Sequence, residues 1–240
     1  MAHPLLASID ALNAQLRPVR FPAPVACVYN PLVYALGPYK KFLSRYGKGE
    51  KRCVFLGMNP GPYGMAQTGV PFGEVSMVRD WMSIEAPVNQ PPVVHPKRPI
   101  EGFACQRSEV SGRRFWGLMA QRYPDPRAFF ADHFVLNYCP LVWMSDTGKN
   151  LTPDKIPRAQ MTRVAAACDG FLSACLDYYR PEIVIGVGVF AEKQAKRVCA
   201  DRAVTVGRML HPSPASPIAN RHWPDKAIED LRKLGVWSAR

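Results

Sequence analysis

Cys53-Val54-Phe55-Leu56 runs directly into Gly57-Met58-Asn59-Pro60-Gly61-Pro62-Tyr63-Gly64-Met65-Ala66-Gln67-Thr68-Gly69-Val70-Pro71-Phe72-Gly73. The apolar run reads as a buried strand. The loop after it packs five glycines, three prolines, an Asn, a Gln and two aromatics. Glycine lets a backbone approach a ligand closely, and proline stiffens it. In an α/β sheet, ligands sit at the carboxyl ends of the strands. The loop therefore marks a candidate site.

Working outward, the pattern predicts helices near 4–17 and 30–46, a strand near 52–57 and a helix near 75–84. Pro87 to Pro99 reads as an irregular surface loop. Ser108-Glu109-Val110-Ser111 is suited to cap a helix running to about 122. His133-Phe134-Val135-Leu136 reads as a strand ending at Asn137, followed by a helix near 158–179. Glu182-Ile183-Val184-Ile185 is a strand ending in Gly186-Val187-Gly188, with a helix to about 200. Ala203 to Leu210 is a fourth strand, ending at His211, and Pro224 opens a last helix stopped by Gly235. Strands alternating with helices predict an α/β fold of three layers: a central, mostly parallel four-stranded sheet flanked by helices. A single domain over 1–240 is expected. Asn59, Asn137, Gly186 with Gly188, and His211 all fall at strand ends, which lie on one edge of a parallel sheet. Residues far apart in sequence are thereby expected to share one pocket.

At 48% hydrophobic residues the chain is able to bury a sizeable core, and no apolar run approaches the roughly 20 residues of a membrane span. The stretch Met1 to Leu6 shows no secretory signal. Seven scattered cysteines without a Cys-x-x-Cys predict free thiols in a reducing, intracellular compartment: cytoplasm or nucleoid in a prokaryote, nucleus in a eukaryote. The net charge of +12 predicts a polyanionic partner. Basic residues cluster at Lys40, Lys41, Arg45, Lys48, Lys51 and Arg52, and again at Arg107, Arg113, Arg114 and Arg122.

The motif segments contain no acid pair, no nucleophile elbow and no metal-ligand spacing, so neither metal nor cofactor is expected. Gly186-Val187-Gly188 lacks the third glycine of a nucleotide fingerprint and reads better as a tight turn. The polar groups of the site are two amides and an imidazole. Amides read the hydrogen-bond pattern of a planar polar ligand, and an imidazole stabilises a developing anion. Each residue alone also has a plain structural reading: Asn after a strand as a turn residue, His before Pro as a loop residue, Phe72 as core. A basic protein with an amide-lined pocket and a stacking aromatic suits a flipped-out base. Composition and spacing stop at a nucleic-acid-binding α/β domain, with action on a base as one reading.

Gly57 to Gly73 with Val75 to Trp81 resembles the first motif of the single-strand-selective monofunctional uracil-DNA glycosylases. His211-Pro212-Ser213-Pro214 with Pro217, Ala219-Asn220 and Trp223 resembles their second. Similar matches are Glu109 to Gly112, Arg114 to Gly117, Asn137 with Cys139-Pro140, Asn150 to Pro153, and Gly186 to Gly188. The resemblance implies that Asn59 holds the attacking water and that His211 hydrogen-bonds uracil O2 and stabilises the leaving anion. It implies that Phe72 stacks on the base, that Asn137 pairs with its edge, and that Gly57, Met58 and Met65 line the pocket. Gly61 stands where a sister branch carries a Tyr, and its small size implies room for substituents at C5, as in 5-hydroxymethyluracil. Pro212, Ser213, Pro214, Ala215, Ser216, Pro217 and Asn220 belong to the segment implied to wedge into DNA. Vertebrate members have an Arg where Ala215 stands.

The implied reaction is hydrolysis of the N-glycosidic bond of uracil and C5-modified uracils, and also of deaminated purines, in single- or double-stranded DNA. No lysine lies in the two motifs to form a Schiff base, so no strand cleavage is expected. A monomer is expected. The alternative from a different class is a non-catalytic module that binds damaged bases in DNA.

Overall fold

The computed structural model describes residues 3–238. Met1, Ala2, Ala239 and Arg240, at the ends of the expected domain and signal-free terminus, lie outside the described residues. The strands are β1 (Cys27–Tyr29), β2 (Cys53–Gly57), β3 (His133–Asn137), β4 (Val142–Met144), β5 (Asn150–Leu151), β6 (Ile183–Val187) and β7 (Thr205–Met209). The helices are α1 (Leu5–Leu16), α2 (Pro31–Tyr34), α3 (Leu36–Tyr46), α4 (Met65–Thr68), α5 (Val110–Arg122), α6 (Pro126–Asp132), α7 (Arg158–Tyr179), α8 (Val189–Val198), α9 (Pro217–His222) and α10 (Asp225–Lys233).

The central sheet has the order β3-β2-β6-β7, and every pairing in it is parallel. β2, β3 and β6 are apolar and closed to solvent over nearly their whole length, as a parallel sheet covered on both faces requires. Paired residues share a face, so the aromatic contacts identify the layers. Phe134 packs on Phe42 of α3, with centroids 4.9 Å apart, and on Tyr179 of α7. Phe55, on the opposite face, meets Phe115 of α5 and Phe129 of α6. The expected three-layer α/β fold is present.

Several local readings differ. The expected helix 30–46 is two helices, because Ala35 leaves helical geometry (φ −106°, ψ 27°) before Gly37 and Pro38 open α3. The expected helix 75–84 is helical over 75–81, with π geometry at Met77–Trp81. Helix α5 begins after Glu109, and no side chain caps its amino end. A second sheet, β1-β4-β5, is antiparallel. Its strands of two or three residues are too short for alternation to register in the sequence.

Candidate active site

Gly57 ends β2 opposite Asn137 of β3, and Val187 ends β6 opposite Met209 of β7. Asn59, Asn137, Gly188 and His211 therefore stand along one edge of the sheet, as the sequence arranges them. Gly188 has φ +90°, and a Cβ there would lie 3.1 Å from the Cβ of His211. Only glycine lets the turn hold both that backbone and that neighbour.

Phe72 is the other half-buried ring of the edge, 6.2 Å from the imidazole of His211. Its φ of 53° is unusual for a bulky residue, a conformation that costs about 1–3 kcal/mol and persists where its surroundings fix it. The fixing contact is Phe115, fully buried and stacked on it at 4.7 Å and 18°. One face of Phe72 is thus held from behind. Gly57 lies beneath: a Cβ there would collide with Asn137 Oδ1 and stand 2.8 Å from Phe72 Cε2. Asn137 donates through Nδ2 to Met65 Sδ at 3.2 Å. A thioether is a weak acceptor, so a carbonyl on a ligand displaces it readily. Gly57, Met65, Phe72 and Asn137 form one continuous wall.

Asn59 donates through Nδ2 to the backbone carbonyl of Leu141 at 3.1 Å. This fixes the orientation of the amide, and its Oδ1 is closed to bulk solvent without a partner in the protein. A buried acceptor held in this way is suited to take a hydrogen bond from a water or a ligand. His211 accepts the Ser213 N–H at Nδ1, 3.0 Å away. Burial pushes its pKa down to about 4, so the ring is neutral at physiological pH. A neutral ring that accepts at Nδ1 carries its proton on Nε2 and donates there.

Other expectations change. Beside Gly61 stands a carboxyl: a Cβ there would collide with Glu109 Oε2 and lie 2.8 Å from Cδ. Met58 lines a groove of about 1140 Å³, with Tyr138, Met161, Phe190, Arg158 and Lys193. In the wedge segment Pro212 is buried, while Pro214, Ala215 and Pro217 are exposed. Ser216 accepts the Ala219 N–H and caps α9, so the segment ends as a helix. Asn220 is occupied internally, donating to Pro214 O at 2.8 Å and accepting from Arg114 at 3.0 Å.

Of the residues in the two basic clusters only Lys51 is buried; Lys40, Lys41, Arg45, Lys48, Arg52, Arg107 and Arg113 are exposed, and several of the clusters' side chains bond carbonyls or rings of the protein itself. Lys41 donates to Glu85 O, Arg45 to Met82 O and Lys51 to Phe130 O. Lys51 and Arg52 precede β2, which puts them at the sheet edge opposite the site. Arg107 bonds Tyr63, Arg122 lies over the ring of Trp237, and Arg114 holds the wedge through the carbonyl of Pro212 at 3.2 Å.

The sequence reading left five participants out of the site: Phe115 behind the stacking ring, Leu141 behind Asn59, Glu109 against Gly61, Arg114 behind the wedge, and Ile218, 54% exposed on α9. Each acts through tertiary contact or exposure. The family resemblance took in Glu109, Arg114 and Phe115 within its matching segments but implied no role for them.

The family model for the uracil DNA glycosylase superfamily matches residues 44–232. The chain is 47% identical over 227 residues to a single-strand selective monofunctional uracil DNA glycosylase of Mus musculus, covering 94% of this chain and 81% of that protein. The namesake proteins of Rattus norvegicus and Bos taurus match equally, at 47% over 94% of this chain and 82% and 84% of theirs. The crystal structure of wild-type Pedobacter heparinus SMUG2 superposes with a TM-score of 0.66 at 17% identity, covering 95% of this chain and 98% of that one. At that identity the likeness concerns the fold alone.

Proposed function

The chain belongs to the uracil DNA glycosylase superfamily, and from that premise we propose that it hydrolyses the N-glycosidic bond of uracil and 5-hydroxymethyluracil in DNA, acting as a single-domain monomer within the cell. Deaminated purines are further substrates in this reading. The observation that carries it is the pairing, at one sheet edge, of a buried unpartnered acceptor, Asn59 Oδ1, with a neutral imidazole that donates through Nε2.

Phe72 stacks on the flipped base and Asn137 pairs with its edge, Oδ1 accepting N3–H and Nδ2 donating to O4. The bond from C1′ to N1 breaks with its electron pair leaving on the base, so an oxocarbenium-like sugar faces a uracil anion. His211 Nε2–H donates to O2 and stabilises that charge without giving up its proton. A water held on Asn59 Oδ1 adds to C1′ and releases its proton to solvent, since an amide is no base at neutral pH. The product is an abasic site with both strands intact. The exposed Pro214, Ala215 and Ile218 supply the face that enters the gap in a duplex.

Oligonucleotides carrying one U, 5-hydroxymethyl-U, xanthine, hypoxanthine or T test this directly. Release of base from U and 5-hydroxymethyl-U, with strand breaks only after hot alkali, is the expected result. A folded protein that binds these DNAs and releases nothing would be a damaged-base binding module instead.

A further inference from the structure

Three strands of the central sheet lead out of the site in the same way. Gly57, Asn137 and Gly188 stand on the edge that carries it, and the residue after each, Met58, Tyr138 and Val189, lines the groove of about 1140 Å³. Tyr138 N–H donates to Gly57 O at 2.9 Å and Cys139 N–H to Met58 O at 3.0 Å, which holds the first two turns side by side. The groove therefore begins where the wall of Gly57 and Asn137 ends.

Its surface is apolar and its spare charge is positive. Val189 is 66% exposed, and half-buried Phe190 presents its ring edge-on to Tyr138 at 5.9 Å. Both acids of the groove are occupied. Asp154 pairs with Lys155 at 2.9 Å, while Asp169 accepts from Tyr138 at 2.7 Å and pairs with Arg197. Arg158 and Lys193 are exposed and, among the described residues, belong to no ion pair. Aromatic and apolar surface beside free cations suits a single strand of nucleic acid, with bases on the rings and phosphates on the cations. Turning one base out of its stack also strips its chain neighbour of a stacking partner.

Given the base-excision reading above, on which this rests, we propose that the groove binds the nucleotide next to the flipped one on the same strand, its base lying on Phe190 and Val189 and its phosphate between Arg158 and Lys193. The ligand is a single DNA strand, since a neighbour still paired to a second strand is not free to lie there. The groove flanks the site on one side, so the neighbours 5′ and 3′ of the flipped nucleotide are treated differently.

The test is kcat/KM for uracil release from single-stranded DNA in which the base next to the uracil, on the 5′ and the 3′ side in turn, is replaced by a tetrahydrofuran spacer that keeps the phosphates. The readout is the ratio of intact strand to spacer strand within each protein, for the wild type, Phe190→Ala and Val189→Asp. A merely structural role does not move that ratio. In the wild type the spacer is expected to cost about tenfold to a hundredfold on one side, the worth of stacking one base, and less than about threefold on the other. In both variants the costly side is expected to fall to within about threefold, because the surface that received the base is gone. Val189 is exposed, so its variant leaves the core untouched and keeps the result readable where Phe190→Ala folds poorly. Equal cost on the two sides, no cost on either, or a cost that survives in either folded variant overturns the assignment. A wild type that releases no uracil from the intact strand overturns the base-excision reading itself, before any spacer or variant is compared.

Discussion

His211 is the residue on which the proposed chemistry turns, and its protonation is set by two neighbours of different kinds. The Ser213 N–H occupies Nδ1, and burial disfavours the cation, lowering the pKa from the usual 6.5 to about 4. A base-release profile is therefore expected to stay flat through pH 6.5 and to fall only toward pH 4. A break at pH 6.5 would sink the neutral-donor assignment. The folded pKa is depressed, so this residue's contribution to stability is complete above pH 6.5 and is lost as the pH falls from there toward 4. Buried His133, also depressed by desolvation, pulls the same way, and melting temperature measured between pH 7.5 and 4.5 reads the two together. His211→Ala is expected to slow uracil release about 10²–10³-fold with the circular dichroism spectrum unchanged. Near-normal turnover would remove the residue from the mechanism.

Among the elements, the segment 212–220 proposed as a wedge is braced from within the protein. Ser216 caps α9, Ser213 Oγ accepts the Ala215 N–H, and Arg114 reaches from α5 to the carbonyl of Pro212 and to Asn220. Helix α5 thus serves both sides of the proposed site: Phe115 backs Phe72 while Arg114 holds the carbonyl of Pro212, one residue apart in the chain. A wedge matters where a base must be pushed out of a stack and held out. Arg114→Ala is expected to lower the rate on duplex DNA about tenfold more than on single-stranded DNA, the loss of hydrogen bonds to a charged donor. An equal fall on both substrates would mean that Arg114 supports the fold and not base extrusion.

Over the whole molecule, charge and function are arranged differently from what the linear sequence implies. The basic run at 40–52 ends where β2 begins, so Lys48, Lys51 and Arg52 lie at the amino edge of the sheet, and the site lies at the other. Basic residues beside the site come from separate segments: Arg158 opens α7 and Lys193 lies on α8, both lining the groove that contains Met58 and Tyr138. Counterion release makes each lysine or arginine on a phosphate worth about 0.9 in the slope of log affinity against log salt. The double variant Arg158→Ala with Lys193→Ala is expected to flatten that slope by up to about 2, and Lys48→Ala to leave it as it is. The reverse pattern would return the footprint to the 40–52 cluster.

The sheet, its parallel sense and the edge of the proposed site were legible in the chain's pattern. Apolar runs at 53–56, 133–136 and 182–185 need cover on both faces, and motif residues placed directly after such runs have nowhere to go but the carboxyl edge. The sequence also put forward Asn59, Asn137 and His211 by their strand-end positions and the family resemblance together, and a role for Phe72 through the resemblance. Tertiary structure decided the rest. The short strands β1, β4 and β5 exist through their pairing and carry no periodic signal of their own. The carbonyl of Leu141 orients Asn59 across 82 residues of chain, and Glu109 meets Tyr63 across 46. Which arginines face outward and which are consumed inside depends on carbonyls brought near by folding. Local periodicity reports a residue's own face, whereas such long-range contacts are fixed only when the layers pack, so the chain read in order cannot show them.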